Sequence, residues 1–263
     1  MADDTIVFNN GAAYERYMGQ WSQLAGDVFL DWLKPASQLQ WLDIGCGNGA
    51  FTDLIVQRCA PASVQGVDPS EEQLAFARTR PVSGSARFIQ GDAMALPLED
   101  RSVDVAVMPL VIFFVPEPER GVAEMARVVR PGGIVAAYAW DMFGAGFPYD
   151  ALQAEMRAMG MALPAPPSPA ASRRDVMQDL WVGAGLQAVE TREITVERTF
   201  ENFDDYWATV QGGPSVAGRL AAMSATERAQ LQATMRRRLP TDGQGRITYS
   251  ARANAVKGVV PQS

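Results

Sequence analysis

The sequence contains no histidine and only two cysteines, Cys46 and Cys59. Zinc and copper sites draw mainly on imidazole and thiolate ligands, so almost no material for such a site is present and no metal is expected. The same absence removes the commonest general base and leaves proton transfer to Asp, Glu or Tyr, or to an acceptor whose own pKa is already low. Basic residues are in deficit too: 23 Lys and Arg stand against 30 Asp and Glu, a net charge of -7. A field of that sign repels phosphate backbones, so a small-molecule partner is expected rather than nucleic acid. Long apolar runs are missing as well. The longest, VAVMPLVIFFV from Val105 to Val115, is too short to cross a bilayer as a helix and contains Pro109. The opening MADDTIVFNN has neither a basic n-region nor an apolar h-region, so a cytoplasmic location is the expectation.

What is there is an alternation. From Leu39 to Trp140, short β-branched apolar runs follow one another with helical patterns between them. That rhythm argues for an α/β fold, a Rossmann-like, doubly wound, mostly parallel sheet. The predicted strands are QWLDIG, SVQGVD, ARFIQGD, SVDVAVM and GIVAAYAW; the helices lie around Ala50 to Arg58, Glu71 to Arg78 and Glu117 to Arg130. Ser70, followed three residues later by Gln73, supplies a helix start. Beyond Trp140 the rhythm changes. LPAPPSPA reads as a Pro-rich loop or linker, Arg173 to Trp181 as a helix, LQAVETREITVERTF as a strand, Asn202 to Leu239 as two or three helices, and GRITYSARANAVKGVV as a last strand. Seven strands result. The expected division is 1–35 N-terminal lid helices, 36–142 cofactor-binding core, 143–185 cap insertion, 186–200 core strand, 201–243 helical cap, and 244–263 final strand and tail. Open α/β sheets bind ligands beyond the carboxyl ends of their strands, so the cap is expected to cover that edge.

The stretch LDIGCGNG, Leu42 to Gly49, puts Gly45, Gly47 and Gly49 directly behind the first strand. Alone, such a turn fits any nucleotide-like ligand, or merely a tight turn. Its third glycine falls at G-x-G-x-G spacing, one residue earlier than the dinucleotide fingerprint places it. Three acids accompany it: Asp43 inside the motif, Asp68 ending strand two in GVDPS, and Asp92 ending strand three in QGDAMALP. Asp68 fits a ribose diol or a helix cap, and Asp92 an exocyclic amine or a turn. A nicotinamide dinucleotide has no special use for the third acid, whereas S-adenosylmethionine presents an ammonium, a diol and an amine.

At this point the chain resembles the class I S-adenosylmethionine-dependent methyltransferases, especially the small-molecule branch that includes ubiquinone and menaquinone biosynthesis enzymes. The matching stretches are LDIGCGNG, GVDPS, GDAMALPLEDRSVDVAV and FVPEPERGVAEMARVVRPGGIVAAYAWD, with YERYMGQWS upstream, about half the chain. The resemblance implies that Gly45, Cys46 and Gly47 approach the methionine moiety, with Asp43 supporting that turn. It implies further that Asp68, with Pro69 and Gln73 after it, holds the ribose, that Asp92 and Ala93 flank the adenine, and that Met108, Pro109 and Leu110 pass near the methyl sulfonium. Phe113, in LVIFFVP, stands where relatives often carry histidine, so histidine-assisted chemistry is not implied. Strand four ends in VMPL, not in the D/N-P-P-Y of enzymes that methylate nucleic-acid or protein nitrogen.

Methyl transfer from a sulfonium is an in-line displacement that a dry, aligned pocket accelerates by proximity, so a base is optional. Asp141, just past strand five, is the first candidate base, with a cap role as its alternative; Tyr17 is a second. Tyr14, Tyr17 and Trp21 share helical spacing in YERYMGQW and, with Met18, fit either a lid over the substrate or a core-facing stripe. Phe113, Trp140, Tyr206 and Trp207 are further candidate pocket residues, the last two equally suited to core packing. Arg236 to Arg238 fit anion recognition or a solvated face. The expected function is a methyltransferase acting on an apolar or aromatic small molecule through O, C or N. The alternatives are an NAD-dependent oxidoreductase and a non-catalytic S-adenosylmethionine-binding protein.

Overall fold

The computed structural model describes residues 15–262; Tyr14 lies outside them. A π-helical turn, Glu15–Gly19, runs into α1 (Gln20–Leu33). The core then alternates: β1 (Gln40–Ile44), α2 (Ala50–Cys59), β2 (Ser63–Asp68), α3 (Glu71–Ala77), β3 (Ala86–Gln90), β4 (Val103–Pro109), α4 (Pro118–Val128) and β5 (Val129–Trp140). The remainder comprises α5 (Asp150–Ala158), α6 (Arg174–Gly183), β6 (Gln187–Phe200), α7 (Phe203–Val210), α8 (Ala217–Ala222), α9 (Ala225–Arg238) and β7 (Ile247–Val259).

The strands form one sheet in the order β3-β2-β1-β4-β5-β7-β6. Pairings from β3 across to β5 are parallel, and β7 enters antiparallel between β5 and β6. The expected doubly wound, mostly parallel seven-stranded α/β sheet is therefore the fold. Its central strands read as unbroken apolar runs because both faces are covered. In β4, Val105 and Val107 join the core on one face while Ala106 and Met108 join the other; in β5, Tyr138 and Trp140 oppose Ala137 and Ala139. The first face packs against α1 and α2 through Phe29, Phe51 and Leu54. The second meets α4 and α6 through Val122, Met125, Met177 and Trp181.

Several boundaries depart from the sequence expectation. Helix α4 ends at Val128 rather than Arg130, and β5 takes in Arg130-Pro131-Gly132-Gly133. The register with β4 shifts there: Val103 pairs with Val129, but Val105 pairs with Ile134. A bulge admits proline and glycine where a regular ladder does not. The Ser70 hydroxyl does cap α3, accepting from the Gln73 N–H at 3.3 Å. The spacing of Tyr17 and Trp21 spans the π-helical turn rather than a continuous α-helix, yet both side chains are buried. No helix among the described residues is long and apolar enough to cross a membrane.

Trp181 fixes α6 to the sheet. Its indole is fully buried and Nε1 donates to the Val135 carbonyl at 2.9 Å. Trp181→Ala is expected to cost about 3–5 kcal/mol of unfolding free energy, the usual range for a buried aromatic truncated to alanine. Urea titration of the variant measures it, and a loss under 1 kcal/mol would contradict the packing described.

Candidate functional site

Strand order reverses direction between β1 and β4, and a cavity of about 220 Å³ opens there, at the carboxyl ends of the strands. Its floor is the turn after β1. Gly45 and Gly47 have φ of +68° and +51°, and a Cβ on Gly45 would lie 2.5 Å from Val111 Cγ2. The turn hangs from β2, since the N–H groups of Gly45 and Cys46 donate to the Val67 carbonyl at 2.7 and 3.1 Å. Glycine is required at position 45 for both reasons, backbone conformation and close approach.

Of the residues expected around a donor, Asp43, Gly45, Cys46, Gly47, Asp68, Pro69, Gln73 and Pro109 line this cavity. Asp68 is held in place: Oδ2 accepts from Gly47 N–H and Oδ1 from Ser70 N–H, each at 2.9 Å. Each oxygen retains a second lone pair for a ligand. Asp43 is fully buried; Thr52 Oγ1 donates to its Oδ2 at 2.7 Å, while Oδ1 has no hydrogen-bond partner among the described residues. Burial, reinforced by the charge of Asp68 and offset in part by the Thr52 hydrogen bond, pushes its pKa up to about 7. An acid so placed is short of a cation, and the ammonium of S-adenosylmethionine is one. The donor set therefore fits that molecule. Burial also pushes the Cys46 thiol up, which keeps it un-ionised and poorly nucleophilic.

Three expected donor contacts lie elsewhere. Met108 is fully buried in the core of the opposite sheet face, beside Gly121 of α4, because alternation along β4 turns it away from the cavity. Asp92 is exposed, and its Oδ1 accepts from Met94 N–H at 2.8 Å in a local turn. Ala93 packs against the second core. Neither lines the cavity.

A second cavity, of about 230 Å³, adjoins the first; Leu110 and Phe114 line both. Leu110 sits at φ +61°, and its N–H donates to the Tyr138 carbonyl at 2.7 Å, which holds a conformation unusual for a branched side chain. The expected residues Tyr17, Met18, Phe113 and Trp140 line this cavity. Trp21, Tyr206 and Trp207 do not; they are core residues. Trp21 Nε1 donates to Tyr149 Oη at 3.2 Å, Tyr206 packs edge-on to Phe200, and Trp207 stacks on Phe203. Asp141 lines neither cavity. Arg252 Nη2 pairs with its Oδ2 at 2.8 Å, and Oδ1 accepts from the N–H groups of Phe143 and Gly144, so it caps the turn after β5. Arg236 and Arg238 are engaged by Asp204 and Glu155.

Sequence reasoning missed much of the wall, including Phe147, Gln153, Arg157, Pro214, Ser215 and three prolines of LPAPPSPA. That proline segment is more than a linker, since Pro164, Pro166 and Pro169 face the cavity. It missed also the fastening of the N-terminal turn. Glu15 Oε2 accepts from Asn48 Nδ2 at 2.8 Å and from Arg80 Nη2 at 2.7 Å, and Arg80 Nη1 meets Asp53 Oδ2 at 2.9 Å. Nearby, the buried Arg198 lies over the Phe200 ring at 4.3 Å and donates to the Tyr17 carbonyl at 3.4 Å. Tyr17 stacks on Tyr149 with centroids 4.2 Å apart. Burial raises the hydroxyl pKa of Tyr149 and of Tyr206, so neither supplies a phenolate base.

Strand order, a glycine turn at the reversal point and an acid at the end of β2 define a nucleoside-binding, Rossmann-like α/β domain. Residues 42–137 match the family model described as a methyltransferase domain. A malonyl-[acyl-carrier protein] O-methyltransferase of Methylococcus capsulatus is 34% identical over 178 residues, covering 66% of this chain and 60% of that protein. An uncharacterized methyltransferase of Mycobacterium tuberculosis is 37% identical over 132 residues, 50% of this chain and 51% of its own. The crystal structure of phosphoethanolamine N-methyltransferase 2 of Haemonchus contortus superimposes with a TM-score of 0.60 at 18% identity, covering 95% of this chain and 56% of that one. The chain thus carries, over residues 42–137, a methyltransferase domain similar to that of the class I S-adenosylmethionine-dependent enzymes. It spans 60% or less of the length of these curated relatives.

The Asp43 environment generates a pH dependence. In the native state its carboxyl stays protonated to about pH 7, whereas an unfolded chain ionises it near 3.8. The unfolded state therefore loses its proton first: the native advantage is full below about pH 4 and is lost as pH rises to 7. Asp43→Asn removes this slope. Without ligand, the stability of the variant relative to wild type should rise by up to roughly 4 kcal/mol between pH 4 and 7, at 1.36 kcal/mol per pH unit, and then level off. Urea midpoints at pH 4.5 and 7.5 read it; a difference independent of pH would show that Asp43 is ionised throughout.

Proposed function

We propose that the protein transfers a methyl group from S-adenosylmethionine to a small apolar or aromatic acceptor. The observation that carries this reading is the pair of cavities meeting at Leu110 and Phe114, one rimmed by Asp43, Gly45, Gly47 and Asp68, the other walled by Tyr17, Phe113, Trp140 and Phe147. In it, Asp68 receives the ribose hydroxyls and Asp43 the ammonium. Residues 143–185 act as a cap insertion and 201–243 as a helical cap over the acceptor side. The net charge of -7 favours a small molecule over nucleic acid as partner.

S-adenosylmethionine, when bound, supplies an electrophilic methyl group whose departure leaves a neutral thioether. An acceptor lone pair forms the new bond to carbon, the electrons of the carbon–sulfur bond remain on sulfur, and any acceptor proton is lost to bulk solvent, before binding from an acidic acceptor or after release from a methylated ammonium. The aromatic and proline wall excludes water and holds the acceptor in line, the contribution proximity makes to such a displacement. No aspartate or glutamate lines the acceptor cavity among the described residues, so the acceptor nucleophile is one that does not depend on a carboxylate base.

Thermal unfolding with S-adenosylhomocysteine, S-adenosylmethionine or NAD tests the reading. A ligand at a hundredfold over Kd adds about 2.7 kcal/mol, roughly 5–10 °C in Tm for a chain of this size. Both S-adenosyl compounds are expected to raise Tm, and NAD to leave it unchanged. Asp68→Ala should weaken S-adenosylmethionine 10- to 100-fold by calorimetry, at about 1.4 kcal/mol per tenfold. Stabilisation by NAD, or undiminished affinity in the variant, would overturn the assignment.

A further inference from the structure

The acceptor cavity is mostly apolar, and one part of its wall is built from three polar side chains in a row. Arg157, on α5, donates through Nη2 to Gln153 Oε1 at 2.9 Å, one helical turn back. The other end of the same amide, Nε2, donates to Ser215 Oγ at 3.2 Å, in the loop before α8. Gln153 is buried and Arg157 exposed, so the row runs from inside the cavity to its mouth. Gln153 spends both ends of its amide holding its neighbours, which fixes the guanidinium over the opening.

No ion pair is made by Arg157 with the described residues. On its own helix Glu155 is committed to Arg238. The cavity wall thus carries one cation, and no carboxylate lines it among the described residues. A positive group kept at the mouth of an apolar chamber, in a protein of net charge -7, is a selective attraction for an anion.

We propose that Arg157 recognises a carboxylate on the acceptor, so that the acceptor has an apolar or aromatic body with a carboxylate at one end. This rests on the reading of the second cavity as the acceptor site. One guanidinium matches one monoanion; a doubly charged phosphate calls for more cations than this wall supplies. The polarity of binding follows. Arg157 lines only the acceptor cavity, whereas Leu110 and Phe114 line both, so the atom that receives the methyl group lies at the partition and the carboxylate away from it. The carboxylate is a handle, and methyl-ester formation at that group is not the reaction.

Calorimetric titration of the full chain, saturated with S-adenosylhomocysteine, with 2-naphthoate, its neutral isostere 2-naphthamide and 2-naphthyl phosphate tests this. Wild type should bind naphthoate at least tenfold more tightly than naphthamide. Arg157→Gln should abolish that preference by weakening naphthoate alone, and Arg157→Lys should restore part of it. Equal affinity of wild type for acid and amide, no binding of either, or a preference that survives Arg157→Gln would overturn the proposal, and tighter binding of the naphthyl phosphate would overturn the choice of carboxylate. The affinity for S-adenosylhomocysteine, measured first on each variant, should not change. Its absence in wild type is failure of the methyltransferase reading and is distinguishable from failure at Arg157.

Discussion

Two backbone N–H groups and one carboxylate hold the ligand edge of the sheet together. The Asp68 side chain, at the end of β2, accepts from Gly47 in the turn after β1 and from Ser70 at the start of α3. It thereby ties the glycine turn to the adjacent helix. Elsewhere in the turn the N–H groups of Gly45 and Cys46 meet the Val67 carbonyl and that of Gly49 meets the Cys46 carbonyl, so Asp68 completes the set by taking Gly47. Everything else at the edge builds outward from that tie. Asn48, next in the turn, meets Glu15 of the N-terminal segment, and Arg80 gathers Glu15 and Asp53 into the same cluster. Most of these groups are partly exposed, so each contact is worth little alone; their number and shared geometry give the edge its shape.

The second cavity depends on a different economy. Its chamber is made by segments distant in sequence, the turn at Tyr17, the loop after β4, the end of β5, α5, the proline segment and the loop before α8. No single element could bury it. A buried polar knot joins several of them: Tyr149 Oη accepts from Trp21 Nε1 and donates to the Tyr17 carbonyl, and Arg198 reaches the same carbonyl from β6. The guanidinium pairs with no carboxylate among the described residues; aromatic faces and carbonyl dipoles offset its desolvation. That arrangement holds the π-helical turn by its Tyr17 carbonyl.

Much of the donor half was legible because it is local. A strand, a glycine turn and a helix lie within twenty residues, and an acid at a strand end is delivered to the same edge by the parallel register. The misreadings have physical reasons as well. Met108 was placed by its position in the chain, but the period of two along β4 sends its side chain to the other face. Asp141 has the right location but a cationic partner, Arg252, more than a hundred residues later, which no local pattern announces. The aromatic stripe on α7 packs inward because its neighbours, Phe200 and Phe203, come from the flanking strand and its own helix. Pro164 and Pro166 looked like a linker because proline composition reports backbone stiffness, not which surface the stiff segment faces.

The central claim is that the two adjoining cavities hold donor and acceptor, with the methyl group crossing between Leu110 and Phe114. A co-crystal structure with S-adenosylhomocysteine tests it most directly. The account predicts the ribose hydroxyls on Asp68, the amino group at Asp43 and the thioether sulfur facing the chamber walled by Tyr17 and Trp140. A sulfur turned away from that chamber, or an adenosyl group seated elsewhere, would contradict it.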